Sequence, residues 1–297
     1  MKAMVPVRRM MGVPVRRWFR GDALGAAVAL AVVGLAADAL MVSARAHEVW
    51  IEPERFQVEA GAPTSVNVKN GERFIGQALV YLPSDFKRFE QRLGPAAKPI
   101  DGRMGDTPTA RVTFAKPGLH TLLYRSTAST LSYERWEKFA RFVKHKAFKD
   151  VSVRHEARGL PRTGFKEVYT RFAKALVAVG HGRGNDQRIG LETEIVAMAN
   201  PFRTAGGSLP VQVLYRGKPR TGAQVEIFRK TPEGTVKIET VKTDARGIAR
   251  VPIEGGAIYL IDAVVLREPS AAVAKETGAV WETLWASLTF EVPARGK

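Results

Sequence analysis

Hydrophobic and polar residues alternate along this chain by different rules in different stretches. An apolar run from Ala23 to Ala37 follows a basic head holding Arg8, Arg9, Arg16, Arg17 and Arg20. From Glu48 to Arg125 short apolar segments sit between Gly, Pro and Asp turns, among them Ser65–Val68, Gln77–Tyr81, Arg111–Phe114 and Leu119–Tyr124, which predicts a small β-sandwich. Asp101 to Pro108 reads as a loop. In the middle, Trp136, Phe139, Ala140 and Val143 recur at helical spacing, predicting a helix over Leu131–Phe148. A second helix is predicted over Phe165–Val179, with Thr163 as its N-cap, Tyr169, Phe172, Ala173 and Leu176 as its apolar stripe, and Gly180 as its stop. Alternation returns at Val211–Tyr215 and Ala223–Ile227, and further strands are predicted at Ile248–Ile253, Ala257–Leu266 and Trp285–Val292. The expected architecture is mainly β: two β-sandwich domains of immunoglobulin or prealbumin type, over 47–127 and 205–297, with a helical insert over 128–204.

The first 46 residues look like a cleavable export signal, with Ala44 and Ala46 as the small residues of the cleavage site. Arg16-Arg17-Trp18-Phe19 matches the core of a twin-arginine signal but lacks a preceding Ser or Thr, so the route is open between the two export systems. Asp38 interrupts the apolar run short of the ~20 residues that span a bilayer, which disfavours a retained anchor. Cleavage after Ala46 makes His47 the first residue of the mature protein, expected in the periplasm. Seven Lys/Arg and two Asp/Glu lie in the leader, so the formal charge of +17 falls to +12. The basic residues are dispersed and no nucleic-acid-binding motif appears, so nucleic acid is not an expected partner.

The chain has no cysteine, which excludes disulfides, thiolate metal sites and cysteine nucleophiles. A metal site must use nitrogen and oxygen donors. An N-terminal His47 offers an imidazole and an α-amine of reference pKa about 7.7–8, which together close a chelate ring. All five histidines, His47, His120, His145, His155 and His181, lie beyond the leader. His120 in a predicted strand and His181 in the loop Gly180–Asp186 are the further candidate ligands, with Asp186 as an oxygen partner of His181. His145, between Lys144 and Lys146, reads as a solvated helix end, and His155 beside Glu156 is ambiguous. If this segment is a strand, Glu48 and Glu52 share one face and His47 lies on the other, though a free terminal amine is not bound by that alternation; the two carboxylates can supply oxygen ligands or balance nearby arginines. Glu192 and Glu194 are expected to pair with basic neighbours. No G-x-S-x-G elbow, H-E-x-x-H helix or phosphate loop is present, so an enzyme is not expected.

The opening His47-Glu48-Val49-Trp50-Ile51-Glu52-Pro53 resembles the A-H-x-x-W-[IL]-E-P start of exported DUF4198 proteins, also labelled periplasmic components of nickel or cobalt transport systems, with NikM-like relatives. Glu167–Leu176, Leu191-Glu192 leading to Asn200-Pro201, Leu214–Pro219, Thr243–Gly247 and Trp281–Phe290 complete the resemblance. It implies a periplasmic protein that binds a divalent transition metal, nickel or cobalt with copper as the alternative, for a membrane transporter component. His47 matches the family's N-terminal histidine. Relatives often carry a histidine in an A-V-H-like context where this chain has Ala263-Val264-Val265. Two other readings stand beside this one: a non-catalytic β-sandwich interaction module, and a copper-binding histidine brace with His120 beside His47.

Overall fold

The computed structural model describes residues 47–204 and 206–294; the predicted leader lies outside them. In chain order the first strands are β1 (Glu48–Pro53), β2 (Gln57–Val58), β3 (Pro63–Glu72), β4 (Ile75–Ala78), β5 (Phe86–Leu93), β6 (Ala96–Pro99), β7 (Ala110–Thr113), β8 (Gly118–Ser126) and β9 (Ser129–Tyr133). Two helices follow, α1 (Trp136–His145) and α2 (Val151–Ala157). Then come β10 (Phe165–Val179), β11 (Thr193–Ala197), β12 (Gly207–Tyr215), β13 (Lys218–Pro219), β14 (Gln224–Lys230), β15 (Val236–Lys242), β16 (Ile248–Ile253) and β17 (Ala257–Arg267). A short helix α3 (Ala271–Thr277) and the long strand β18 (Ala279–Val292) close the chain.

The protein is mainly β, as the alternation predicts, but its strands do not divide into two separate sheets-and-insert modules. A ten-stranded sheet runs in the order β15-β14-β17-β18-β10-β8-β5-β6, with β2 and β9 also on β10, and so draws on all three predicted segments. Two four-stranded sheets, β1-β3-β4 with β7 and β11-β12-β13 with β16, pack against it. Strand alternation shows that they take opposite faces. Ala173, Ala175, Val177 and Val179 of β10 join the core with Ile51, Val66 and Val112 of the first small sheet. Leu176 of β10 and Ala286, Leu288 and Phe290 of β18 join the core with Ile195, Val213 and Val251 of the second.

The predicted second helix, Phe165–Val179, is instead the strand β10. Its last nine residues are all buried, because each face of the sheet carries its own core. With both faces apolar the period-2 signal disappears, and the aromatic residues happen to fall at helical spacing. Val168, Thr170, Val177 and Val179 are the β-branched residues that favour the strand. The first predicted helix is shorter than expected: Leu131 and Tyr133 lie in β9, and α1 starts at Trp136. That helix lays Phe139 and Val143 on Tyr133, Phe165 and Trp281.

The shared sheet makes the two cores one cooperative structure. Leu288 is fully buried in the core under the second small sheet, so Leu288→Ala should cost ~2–5 kcal/mol through lost burial and a cavity. Calorimetry should show one transition moved down as a whole; two resolved transitions with one unmoved would contradict a common sheet.

Candidate functional site

The charged residues of greatest interest lie on the sheet face that receives β1. Alternation in β1 points Val49 and Ile51 into the core and turns Glu48, Trp50 and Glu52 toward β14 and β17. Glu52 there accepts hydrogen bonds from Trp50 Nε1 at 2.7 Å and pairs with Lys69 at 2.9 Å and Lys230 at 3.1 Å. Glu48 lies farther in. Glu226 of β14 and Asp262 of β17 are directly opposite each other across their antiparallel ladder, and Glu48 comes down on the pair. The three carboxylates are buried, and one oxygen of each lies within 4.8 Å of the others.

A lysine neutralises much of this charge. Lys146 caps the C-terminus of α1, and its Nζ lies 2.9 Å from Asp262 Oδ2, 3.0 Å from Glu226 Oε2 and 3.4 Å from Glu48 Oε1. It also sits 4.6 Å from the Trp285 ring centre, with the buried Arg171 guanidinium 4.2 Å from the same ring. His145 extends the cluster to the surface, its Nε2 3.1 Å from Glu226 Oε1 and its side chain 63% exposed. Glu48 Oε2, Arg171 Nε and Arg171 Nη1 are buried without a hydrogen-bond partner.

Burial pushes Glu48 up to about 7, with Asp262 and Glu226 adding to the rise and Lys146 opposing it. Burial likewise raises Asp262 against the pull of Lys146. For Lys146 burial works downward, but Asp262, Glu226 and Glu48 together outweigh it and raise its pKa. The lysine is therefore a firmly held cation, and Glu48 and Asp262 both resist ionising.

The histidines separate into different environments. His47 is half-buried and directly precedes Glu48 and β1. His120 is buried on β8 against Phe114, with its Nε2 bonded to the Lys116 carbonyl at 2.8 Å and its Nδ1 unpartnered. Burial lowers its pKa, so the ring is held neutral. His181 is exposed after β10 and its Nδ1 accepts the Arg183 amide at 3.1 Å. That loop borders an open cleft of about 400 Å³ with Arg183 and Arg203, a surrounding that repels cations. Among the described residues the set of three donors close enough to share a metal is Glu48, Glu226 and Asp262; the predicted ligands His47, His120 and His181 are not in it.

Asp186 is not a partner of His181. It is buried on the opposite sheet face, 2.9 Å from Lys174 Nζ, which Glu194 also approaches at 3.2 Å. The amides of Ile189, Gly190 and Leu191 donate to Glu194, and that of Ala197 to Asp186, so this ion triad is closed. Glu192 pairs with Arg267 and Arg216, basic partners brought to it by the fold from 75 and 24 residues away. His155 is a core histidine: Nε2 binds the Pro161 carbonyl at 3.0 Å and Nδ1 accepts from Trp281 Nε1 at 3.0 Å.

The sequence profile described as "Domain of unknown function (DUF4198)" matches residues 44–267. The chain belongs to the DUF4198 family. No curated protein sequence matches it. Among solved structures it is similar to the "D0-D1 domain of Intimin", at 14% identity over 81% of this chain and 97% of that chain, with a TM-score of 0.21. At that score the fold rests on this chain's own strands.

Within this DUF4198 member, the stretch Ala263-Val264-Val265 follows Asp262 on β17. Val265 packs with Phe172, Leu191 and Leu284, on the face away from Glu226 and Asp262. A histidine at 265 would point away from the carboxylates. Sequence reading passed over Glu226, Asp262 and Lys146. The one signal for them was a charged residue interrupting each of two apolar strands, at Gln224–Phe228 and Tyr259–Val264.

Because the folded-state pKa of Glu48 lies above its ordinary 4.5, the stability it contributes is complete below about pH 4.5 and is lost as pH rises through about 7. Glu48→Gln removes that loss. The melting temperature of the variant relative to wild type should rise between pH 5 and 7.5, and a relative fall over that window would contradict the assignment.

Proposed function

We propose that this protein is an exported, non-catalytic carrier of a divalent transition metal of the nickel or cobalt type, working in the periplasm and passing its metal to a membrane transporter component. The observation that carries this reading is the convergence of three buried carboxylates, Glu48, Glu226 and Asp262, the first of them the sequence neighbour of His47.

The donor chemistry fits. Carboxylate oxygen with imidazole and amine nitrogen suits nickel, cobalt and copper(II), and the cysteine-free chain brings no thiolate to favour softer ions. His47 supplies nitrogen, Glu48 follows it on β1, and His145 stands at the outer edge against Glu226. The family label of metal transport, carried by resemblance, agrees with that set. Copper is the alternative metal. The brace reading needs His120 beside His47, and His120 has one nitrogen committed to a backbone carbonyl within a core.

The α-amine sets the test. In protein processed after Ala46, nickel titration by calorimetry should show at least tenfold weaker binding for His47→Ala. One extra residue ahead of His47 should weaken binding similarly, because it removes the amine while keeping the imidazole. Unchanged affinity in both would take His47 out of the site.

A further inference from the structure

Lys146 occupies the place that a cation would take among the three carboxylates. Its ammonium stands 2.9 to 3.4 Å from one oxygen of each, and its side chain is 5% exposed. Two observations separate this cluster from a finished structural ion pair. Glu48 Oε2 is buried with no hydrogen-bond partner, although its side chain is only 8% exposed. By contrast, every carboxylate oxygen around Lys174 on the other face is hydrogen-bonded. The charge is also crowded: three buried carboxylates share one ammonium, with Arg171 the remaining buried cation nearby. A divalent ion in place of the ammonium would meet the same three oxygens.

The lysine stands at the head of a strained turn. It caps α1, and the turn that follows carries two non-glycine residues in the left-handed region, Ala147 at φ 53° and Asp150 at φ 58°. Such residues are strained and persist only where the surroundings enforce them. The enforcing contacts are Lys146 in the carboxylates, Gln224 Nε2 on the His145 carbonyl at 2.7 Å, and Phe148 on Phe142.

We infer that Lys146 is an internal competitor for the metal: a divalent cation enters between Glu48, Glu226 and Asp262 only as the Lys146 ammonium leaves, and the freed 146–150 turn displays the loaded state on the surface. This rests on the metal-binding reading above. No covalent bond of the chain is made or broken; carboxylate–metal coordination replaces the three hydrogen bonds of the Lys146 ammonium. A partner that collects metal then has a local feature by which to tell loaded from empty protein.

Amine acylation read by peptide mass spectrometry tests this in the wild-type chain. Saturating nickel should raise labelling of Lys146 at least tenfold, while Lys174, 1% exposed in its own ion triad, stays protected and reports that the fold is intact. In parallel, Lys146→Met should bind nickel at least tenfold more tightly by calorimetry. Nickel that binds wild type while Lys146 stays as protected as Lys174 overturns the exchange and leaves the metal-binding reading standing. Nickel that binds Lys146→Met but not wild type also overturns it, since the lysine is then a permanent counter-ion. Nickel that binds neither protein overturns both readings.

Discussion

The parallel pairing of β10 with β18 is the constraint on which the rest of the molecule depends. From Lys166 opposite Ala279 to Ala175 opposite Thr289, it joins strands far apart in sequence into the middle of one sheet. On one face of that seam the residues feed the core under β11 and β12, and on the other the core under β1 and β3. The seam also brings Glu48, Lys146, Glu226 and Asp262 together, four charged residues from widely separated parts of the chain. Ser287 on β18 donates to the Val49 carbonyl at 2.7 Å, fixing β1 over the seam so that the next residue back, Glu48, reaches Asp262. No shorter-range contact could place these groups.

Burying so many charges is costly. Taking a carboxylate or ammonium out of water costs several kcal/mol per ion, and pairing repays it only with good geometry and full hydrogen bonding. The Lys174 triad meets that condition through backbone amides that hold Glu194 and Asp186. The Lys146 cluster does not, because Glu48 and Arg171 keep unpartnered polar atoms. Two buried lysines in one sheet thus differ in kind. The first locks a loop to the sheet; the second is the less settled arrangement, and it stands beside the proposed metal-binding N-terminus.

Part of the β-structure was legible in the sequence because several strands keep one polar face, while others such as β17 and β18 were marked by short apolar runs between turns. Arg111–Phe114 and Ile248–Ile253 alternate cleanly and appear within a residue of their expected places. β10 was illegible for the opposite reason: buried on both faces, it carries no alternation, and its register with β18 is a long-range choice. The candidate site was half legible. His47 and Glu48 were marked by the leader boundary and by strand alternation, whereas Glu226 and Asp262 acquire meaning only when their ladder sets them opposite each other. His145 read as a solvated helix end, and its exposed ring is indeed at one; its contact with Glu226 depends on where α1 docks.

The most direct test of the central claim is the position of the metal itself. Crystals of the protein processed after Ala46 and soaked in nickel should give an anomalous difference peak between Glu48, Glu226 and Asp262, within bonding distance of His47, with the Lys146 side chain moved out. A peak confined to His181 or other surface histidines, with Lys146 still seated among the three carboxylates, would contradict the account.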